Sequence, residues 1–321
     1  MASKSSEIVT DFPPVLRIYK DGTVERLFGT PFTPPSPEDP TTGVSSKDIK
    51  ISLLLPARVF LPKMTDSSNQ KLPILVYFHG GGFCGESAFS SLNDRYVNLL
   101  VSQAMALTIS VEYRLAPENP LPAAYEDCWA ALQWVASHVD NPNSRKEPWL
   151  VDHGNFNRIY LGGESAGANI AYNLAMKAGV ERLHGDVKIF GAFLSHPYFW
   201  GSKYETNYRV QNNEDSLSYK LWMFAFPSAA GGIDNPMINP LVDDGPSLSE
   251  MGCSRLFVSV AGKDRLRETG LLFVVAVRKS GWKGELDLVD TEGEDHVFHV
   301  LNPESEKAKN LIKRLASFIK D

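Results

Sequence analysis

The chain has 321 residues, 43% of them hydrophobic and 22% charged, and a formal net charge of -6 at pH 7. That balance supplies a sizeable core and excludes a largely disordered chain; only about the first ten residues read as loose. With no basic run and no strongly acidic tail, it also excludes nucleic acid and an anionic membrane surface as partners and leaves a small neutral or organic molecule. The cysteines, Cys84, Cys128 and Cys253, are isolated and odd in number, so a reducing compartment without a disulfide framework is expected. The amino-terminal residues carry no apolar signal core, and no apolar run reaches about 18 residues. A soluble, cytoplasmic protein is the expectation.

Residues 15–28 read as two short extended runs joined at Asp21-Gly22, a strong hairpin signal. Thr30 to Ser46, rich in proline, serine and threonine, is expected to cross the surface as an irregular arm. Strand-like runs follow at Ile49 to Leu53 and Ala57 to Leu61. Pro73 to Phe78 is almost wholly apolar, the mark of a central strand buried on both faces, and it opens into His79-Gly80-Gly81-Gly82-Phe83. A helix is predicted near Ser91 to Gln103 and a strand at Ala106 to Tyr113. A second helix opens at Pro122, and its Ala124, Cys128, Ala131, Leu132, Val135 and Val139 keep helical spacing.

Arg158 to Leu161 reads as a short buried strand, Ala168 to Met176 as a helix, and Val187 to Leu194 as another apolar strand. Between about Tyr198 and Pro246 the alternation gives way to aromatic, polar and turn residues, read as an insertion over the sheet. Order resumes with a strand at Arg255 to Gly262, a helix near Glu268 to Lys279 and a strand at Glu285 to Asp290. In the last helix Asn302 is the expected cap, Pro303 the first position, and Ala308, Leu311, Ile312, Leu315, Phe318 and Ile319 the buried stripe. Alternating β and α segments with apolar strands predict one α/β domain over residues 1–321, a mostly parallel sheet covered by helices on both faces.

Gly163-Glu164-Ser165-Ala166-Gly167 lies between a predicted strand and a predicted helix and fits the G-x-S-x-G nucleophile elbow. A β-carbon at Gly163 or Gly167 is expected to collide with the neighbouring strand or helix. A serine hydroxyl needs a base within hydrogen-bond reach and a third group to orient that base. Asp264 and His296 follow in the required order, each past a predicted strand, so all three residues emerge at the carboxyl edge of the sheet. His299 is a rival base, and Asp290, Glu292 and Asp295 are rival orienters. His138, His153, His184 and His196 have no motif around them and are read as surface or packed residues.

His79-Gly80-Gly81-Gly82 matches the oxyanion loop of lipases and esterases, with the N–H groups of Gly81, Gly82 and Ala166 as donors. His79 is read as holding this loop, and Glu86 and Glu164 as structural. Phe83, Tyr198, Phe199, Trp200, Trp222 and Phe224 are candidates for an apolar pocket wall. No metal-ligand spacing or phosphate loop occurs, so no metal and no organic cofactor is expected.

Four segments taken together, His79 to Phe83, Glu112-Tyr113-Arg114-Leu115-Ala116-Pro117-Glu118, Pro122-Ala123-Ala124-Tyr125-Glu126-Asp127 and Gly163 to Gly167, resemble the plant carboxylesterases of the hormone-sensitive-lipase type. The resemblance spans nearly the whole chain, including Tyr19-Lys20-Asp21-Gly22 and the final helix. It implies an α/β-hydrolase fold, a cap built from residues 1–46 and about 198–246, and a catalytic triad of Ser165, Asp264 and His296. The same branch holds 2-hydroxyisoflavanone dehydratases, alkaloid cyclases related to tabersonine synthase, and gibberellin receptors. Where such relatives lose a triad member or the triple glycine, this chain keeps Ser165, His296 and all three glycines. The expected function is therefore a serine carboxylesterase acting on small esters, with a dehydratase or cyclase of plant specialised metabolism as the alternative and a hormone receptor behind both.

Overall fold

The computed structural model describes residues 7–29, 31–64, 71–139, 147–202 and 213–321. The chain opens with a three-stranded antiparallel sheet of β1 (Ile8–Phe12), β2 (Leu16–Tyr19) and β3 (Val24–Arg26). The Asp-Gly hairpin stands where its sequence placed it, with the Thr23 N–H donating to Asp21 Oδ1 at 2.9 Å and Gly22 at a φ of +82°. Ordering begins earlier than expected, because β1 pairs with β2 and Phe12 packs edge-on against Phe224 at 5.2 Å. The remainder of the loose amino-terminal stretch, residues 1–6, lies outside the described residues.

The main sheet has eight strands: β4 (Ser45–Ser52), β5 (Leu55–Leu61), β6 (Leu72–Phe78), β7 (Leu107–Val111), β8 (Gly154–Glu164), β9 (Ile189–Ser195), β10 (Cys253–Ala261) and β11 (Glu285–Thr291). Their spatial order is β11-β10-β9-β8-β6-β7-β5-β4; only the pairings of β4 with β5 and β5 with β7 are antiparallel. The helices are α1 (Ser91–Ala104), α2 (Ala123–Ala136), α3 (Pro148–His153), α4 (Ala166–Val180), α5 (Leu217–Ala225), α6 (Arg267–Lys279), α7 (Phe298–Leu301) and α8 (Glu306–Lys320).

The apolar run of β6 shows why the sheet is doubly covered. Ile74, Val76 and Phe78 enter the core shared with α2, α4 and α6, while Leu75 and Tyr77 enter the core shared with α1 and α8. A strand alternates its side chains between faces, so only a run apolar at every position can fill both layers. Each large apolar side chain so buried contributes about 1.5–3 kcal/mol. The three cysteines are buried within this packing and unpaired.

Three local expectations differ. The cap of α8 is Ser305, whose hydroxyl accepts from the Ala308 N–H at 3.2 Å; Asn302 instead closes α7, and Pro303 falls in the break between the two helices. The second helix ends at Ala136, and Val139 is left exposed. The short α3 went unforeseen, although Pro148 stands at its start and the Glu147 carboxylate accepts from the Trp149 N–H at 3.0 Å. Within the expected insertion, residues 203–212 lie outside the described residues; the following α5 is capped by Ser216 and packs through Leu221, Trp222 and Ala225. Among the described residues no helix is long and apolar enough to cross a membrane.

Candidate active site

Ser165 sits between β8 and α4 with φ 56° and ψ −116°, a conformation that L-residues avoid. Such backbone strain amounts to about 1–3 kcal/mol and persists only where the surroundings enforce it. Here the Ser165 N–H donates to the Ser195 carbonyl at 2.9 Å, and the Tyr198 N–H donates to the Ser165 carbonyl at 3.1 Å. Glycine on either side is a steric necessity: a β-carbon on Gly163 or Gly167 would overlap the Phe78 carbonyl oxygen at the end of β6. The turn is thus locked between two strands, and its hydroxyl faces outward at their carboxyl edge.

One predicted partner meets that hydroxyl, and the other stands behind it. His296 Nε2 lies 2.9 Å from Ser165 Oγ, and His296 Nδ1 lies 2.7 Å from Asp264 Oδ2. Asp264 is buried just beyond β10, and its other oxygen accepts from the Leu266 N–H at 2.9 Å. Burial pushes its carboxyl upward, but the charge and hydrogen bond of His296, aided by His196 and the Leu266 N–H, outweigh burial and hold it below the usual range.

The rivals make other contacts. Asp290 pairs with Arg267 at 2.5 Å, and Asp295 Oδ1 accepts from the His296 backbone N–H at 2.8 Å. The side chain of Glu292 has no place on the cavity wall. His299 is wholly buried in α7 beside Tyr96, its pKa lowered by burial to about 3.

His196 is the residue that motif reading missed. It is fully buried, accepts from the Val297 N–H through Nδ1 at 2.8 Å, and stands 3.8 Å from Asp264 Oδ2. Burial, then the charges of His299 and His296, lower its pKa well below normal, so it supports the His296 loop as a neutral ring. Its place just past β9, at the same sheet edge as Asp264, was the available signal.

The glycine loop follows β6. Gly81 and Gly82 have φ of +94° and +62°, and a β-carbon on Gly81 would strike the Gly85 carbonyl. Among the described residues no backbone or side-chain acceptor takes the N–H groups of Gly81, Gly82 or Ala166. Tyr113 stacks on His79 with centroids 4.2 Å apart and donates its hydroxyl to the His79 carbonyl at 2.7 Å, while burial lowers the His79 pKa to about 4. Glu164 is more than a spacer in the elbow: it accepts from the Gly80 N–H at 2.8 Å and from the Tyr77 hydroxyl. Glu112 holds the far end of the loop through the Ala88 N–H at 2.6 Å and the Ser87 hydroxyl at 2.9 Å.

Burial raises the Glu164 pKa from 4.5 to about 8 against the opposing pull of those two donors. A carboxyl raised by folding contributes stability that is fully present below its unfolded value and lost as pH rises through its folded value. Glu164→Gln is therefore expected to flatten the fall in stability between pH 5 and pH 8, read from urea midpoints at the two pH values. An undiminished fall in the variant would refute this assignment.

Ser165, His296, Gly81 and Gly82 open onto a cavity of about 540 Å³. Its wall is largely apolar, with Val15 from the amino-terminal sheet region, Leu217 and Leu221 from α5, and Val300 and Leu301 from α7, and it also carries Lys263, Arg265 and Asp295. Of the six aromatics expected there only Tyr198 reaches the wall. Phe83, Phe199, Trp200 and Trp222 are buried in the core, where Phe83 meets Trp222 at 6.2 Å and Phe199 meets Phe273 at 4.9 Å; Phe224 covers Phe12.

A family model described as alpha/beta hydrolase fold matches residues 75–300. The chain is 54% identical over 319 residues to a 2-hydroxyisoflavanone dehydratase of Glycyrrhiza echinata, covering 98% of this chain and 97% of that one. It is 49% identical over 324 residues to tabersonine synthase of Catharanthus roseus, covering 98% and 99%. A hyperthermophilic esterase from the archaeon Pyrobaculum calidifontis superposes with a TM-score of 0.67 at 27% identity, over 86% of this chain and 85% of that one.

Proposed function

The chain belongs to the α/β-hydrolase family, and from that premise we propose that it is a serine carboxylesterase hydrolysing small carboxylic esters through an acyl-enzyme. The observation that carries this reading is the unbroken chain from Ser165 through His296 to Asp264, at 2.9 and 2.7 Å, opening on a largely apolar cavity. Ser165 Oγ attacks the ester carbonyl carbon while His296 Nε2 takes its proton. The tetrahedral oxyanion meets the N–H groups of Gly81, Gly82 and Ala166, each such donor lowering the barrier by about 3 kcal/mol. His296 then gives the proton to the leaving alkoxide as the C–O bond breaks. Water repeats the sequence on the acyl-enzyme and releases the acid and Ser165. Asp264 accepts from His296 Nδ1–H throughout, fixing the tautomer whose Nε2 is free to act as base.

The test is labelling with a fluorophosphonate followed by peptide mass mapping, alongside turnover of p-nitrophenyl butyrate. A single adduct on Ser165 with complete loss of turnover is expected. Modification elsewhere with turnover lost, or an unlabelled and inactive protein, would overturn the reading.

The identity to a dehydratase and to tabersonine synthase favours a second reading, in which the same base and oxyanion donors act on a specialised plant metabolite without acylation. Elimination that survives phosphonylation of Ser165 would select it. A small-molecule partner and a cytoplasmic setting belong to both readings.

A further inference from the structure

Two residues of the cavity wall each carry a buried side-chain oxygen that has no hydrogen-bond partner among the described residues. Glu86 is 5% exposed and held at a φ of +67° immediately after the glycine loop. Its Oε1 accepts from the Ser90 hydroxyl and from the Ser87 N–H at 3.2 Å, whereas Oε2 has no hydrogen-bond partner among the described residues. Asn93, in the first turn of α1, is 2% exposed. Its Nδ2 donates to the Ala88 carbonyl at 3.2 Å and faces Ser110 Oγ at 3.3 Å, and its backbone N–H donates to Ser90 Oγ at 3.1 Å. The Ala88 carbonyl accepts only, which fixes the amide with Nδ2 on that side. Asn93 Oδ1 is left without a partner among the described residues.

Buried polar atoms in folded proteins are almost always paired, and each exception needs a reason. Among the described residues that carry such atoms, only Glu86 and Asn93 belong to the cavity wall. They share it with Phe28, Leu92, Val300 and Leu301, which offer no side-chain hydrogen bond. Both residues also hang on one hydroxyl, that of Ser90, which fixes them as a unit.

We propose that Glu86 and Asn93 form a subsite that binds a hydroxyl group of the substrate, so that the ester taken by this cavity carries a hydroxyl on an otherwise apolar body. The assignment rests on the reading of the cavity as the ester site. A hydroxyl is the donor that fits best. It donates to Asn93 Oδ1 or to an ionised Glu86, and it accepts from Glu86 when the carboxyl is protonated. An ammonium suits only the ionised state, which burial of Glu86 disfavours.

The experiment uses the full chain with Ser165→Ala, so that binding is measured without turnover. Calorimetric affinities are compared for methyl 2-, 3- and 4-hydroxyphenylacetate, for the methyl tolylacetates that replace hydroxyl by methyl, and for a methyl aminomethylphenylacetate. At least one hydroxyl isomer is expected to bind roughly ten-fold more tightly than its tolyl counterpart. Adding Glu86→Met or Asn93→Leu should shrink that advantage to about two-fold or less. Equal affinity for every hydroxyl and tolyl pair, tightest binding of the amine, or an advantage untouched by both substitutions would overturn the assignment. If neither substitution yields folded protein, the ligand series with Ser165→Ala alone decides. Failure of the unsubstituted chain to hydrolyse any ester would sink the esterase reading and leave these affinities to judge the subsite.

Discussion

Ser165→Ala is expected to lower kcat for p-nitrophenyl butyrate by about 10⁴- to 10⁶-fold while leaving the thermal unfolding midpoint close to that of the parent. The size of the loss follows from the geometry: among the described residues no other hydroxyl or thiol lies within hydrogen-bond reach of His296 Nε2, so no substitute nucleophile inherits the base. The retained fold follows as well, because the elbow is shaped by Gly163, Gly167 and two backbone hydrogen bonds that do not involve the serine side chain. Residual hydrolysis would come from polarisation of the ester carbonyl by the N–H groups of the glycine loop and Ala166. Initial rates measured against circular-dichroism melts check both halves. A rate within ten-fold of the parent, which is about 1.4 kcal/mol in barrier, would remove Ser165 from the chemistry.

Sequence alone was enough wherever one strong local constraint sets the structure. The almost wholly apolar run of β6 had to be a central strand, since no half-exposed strand tolerates it, and it is buried along its whole length. The elbow was legible because strand, tight turn and helix leave few residues permissible at Gly163 and Gly167. Asp264 and His296 were legible because strand ends in this topology converge on one edge.

What stayed hidden depends on contacts between segments distant in the chain. His196 becomes notable only through Val297, 101 residues on, and Glu164 only through Gly80, 84 residues back. The aromatics were misread because a ring's apolar surface does not say whether it faces a core or a cavity. Tyr172 and Phe273 close around Phe199, and aliphatic residues take much of the wall instead. The helix cap at Ser305 was missed for a smaller reason: Asn302 and Ser305 are both competent caps, and the break at Pro303 chose between them.

Asp264→Asn is the sharper test of how the site is wired, because it preserves shape and changes one proton. The amide presents either an N–H or a carbonyl to His296 Nδ1. When the N–H faces the ring, Nδ1 must accept, the ring proton moves to Nε2, and the atom 2.9 Å from Ser165 Oγ no longer takes a proton. The expected result is a fall in kcat of about 10⁴-fold at neutral pH, with KM changed far less because Asp264 acts behind the ring. The effect on stability has its own pH signature. Folding holds the Asp264 carboxyl below its ordinary value of 3.8, so its contribution is present above that value and is lost as pH falls through the folded one. The parent should therefore exceed Asp264→Asn in stability from pH 5 to pH 8, and the gap should close as the pH drops below about 3.8. A gap that stays constant into acid would mean that the aspartate is held by packing alone. His196 sharpens that comparison: at 3.8 Å from Asp264 Oδ2 it lowers the carboxyl less than the charge and hydrogen bond of His296 do, so the depressed carboxyl reports chiefly on the one imidazole that also touches Ser165.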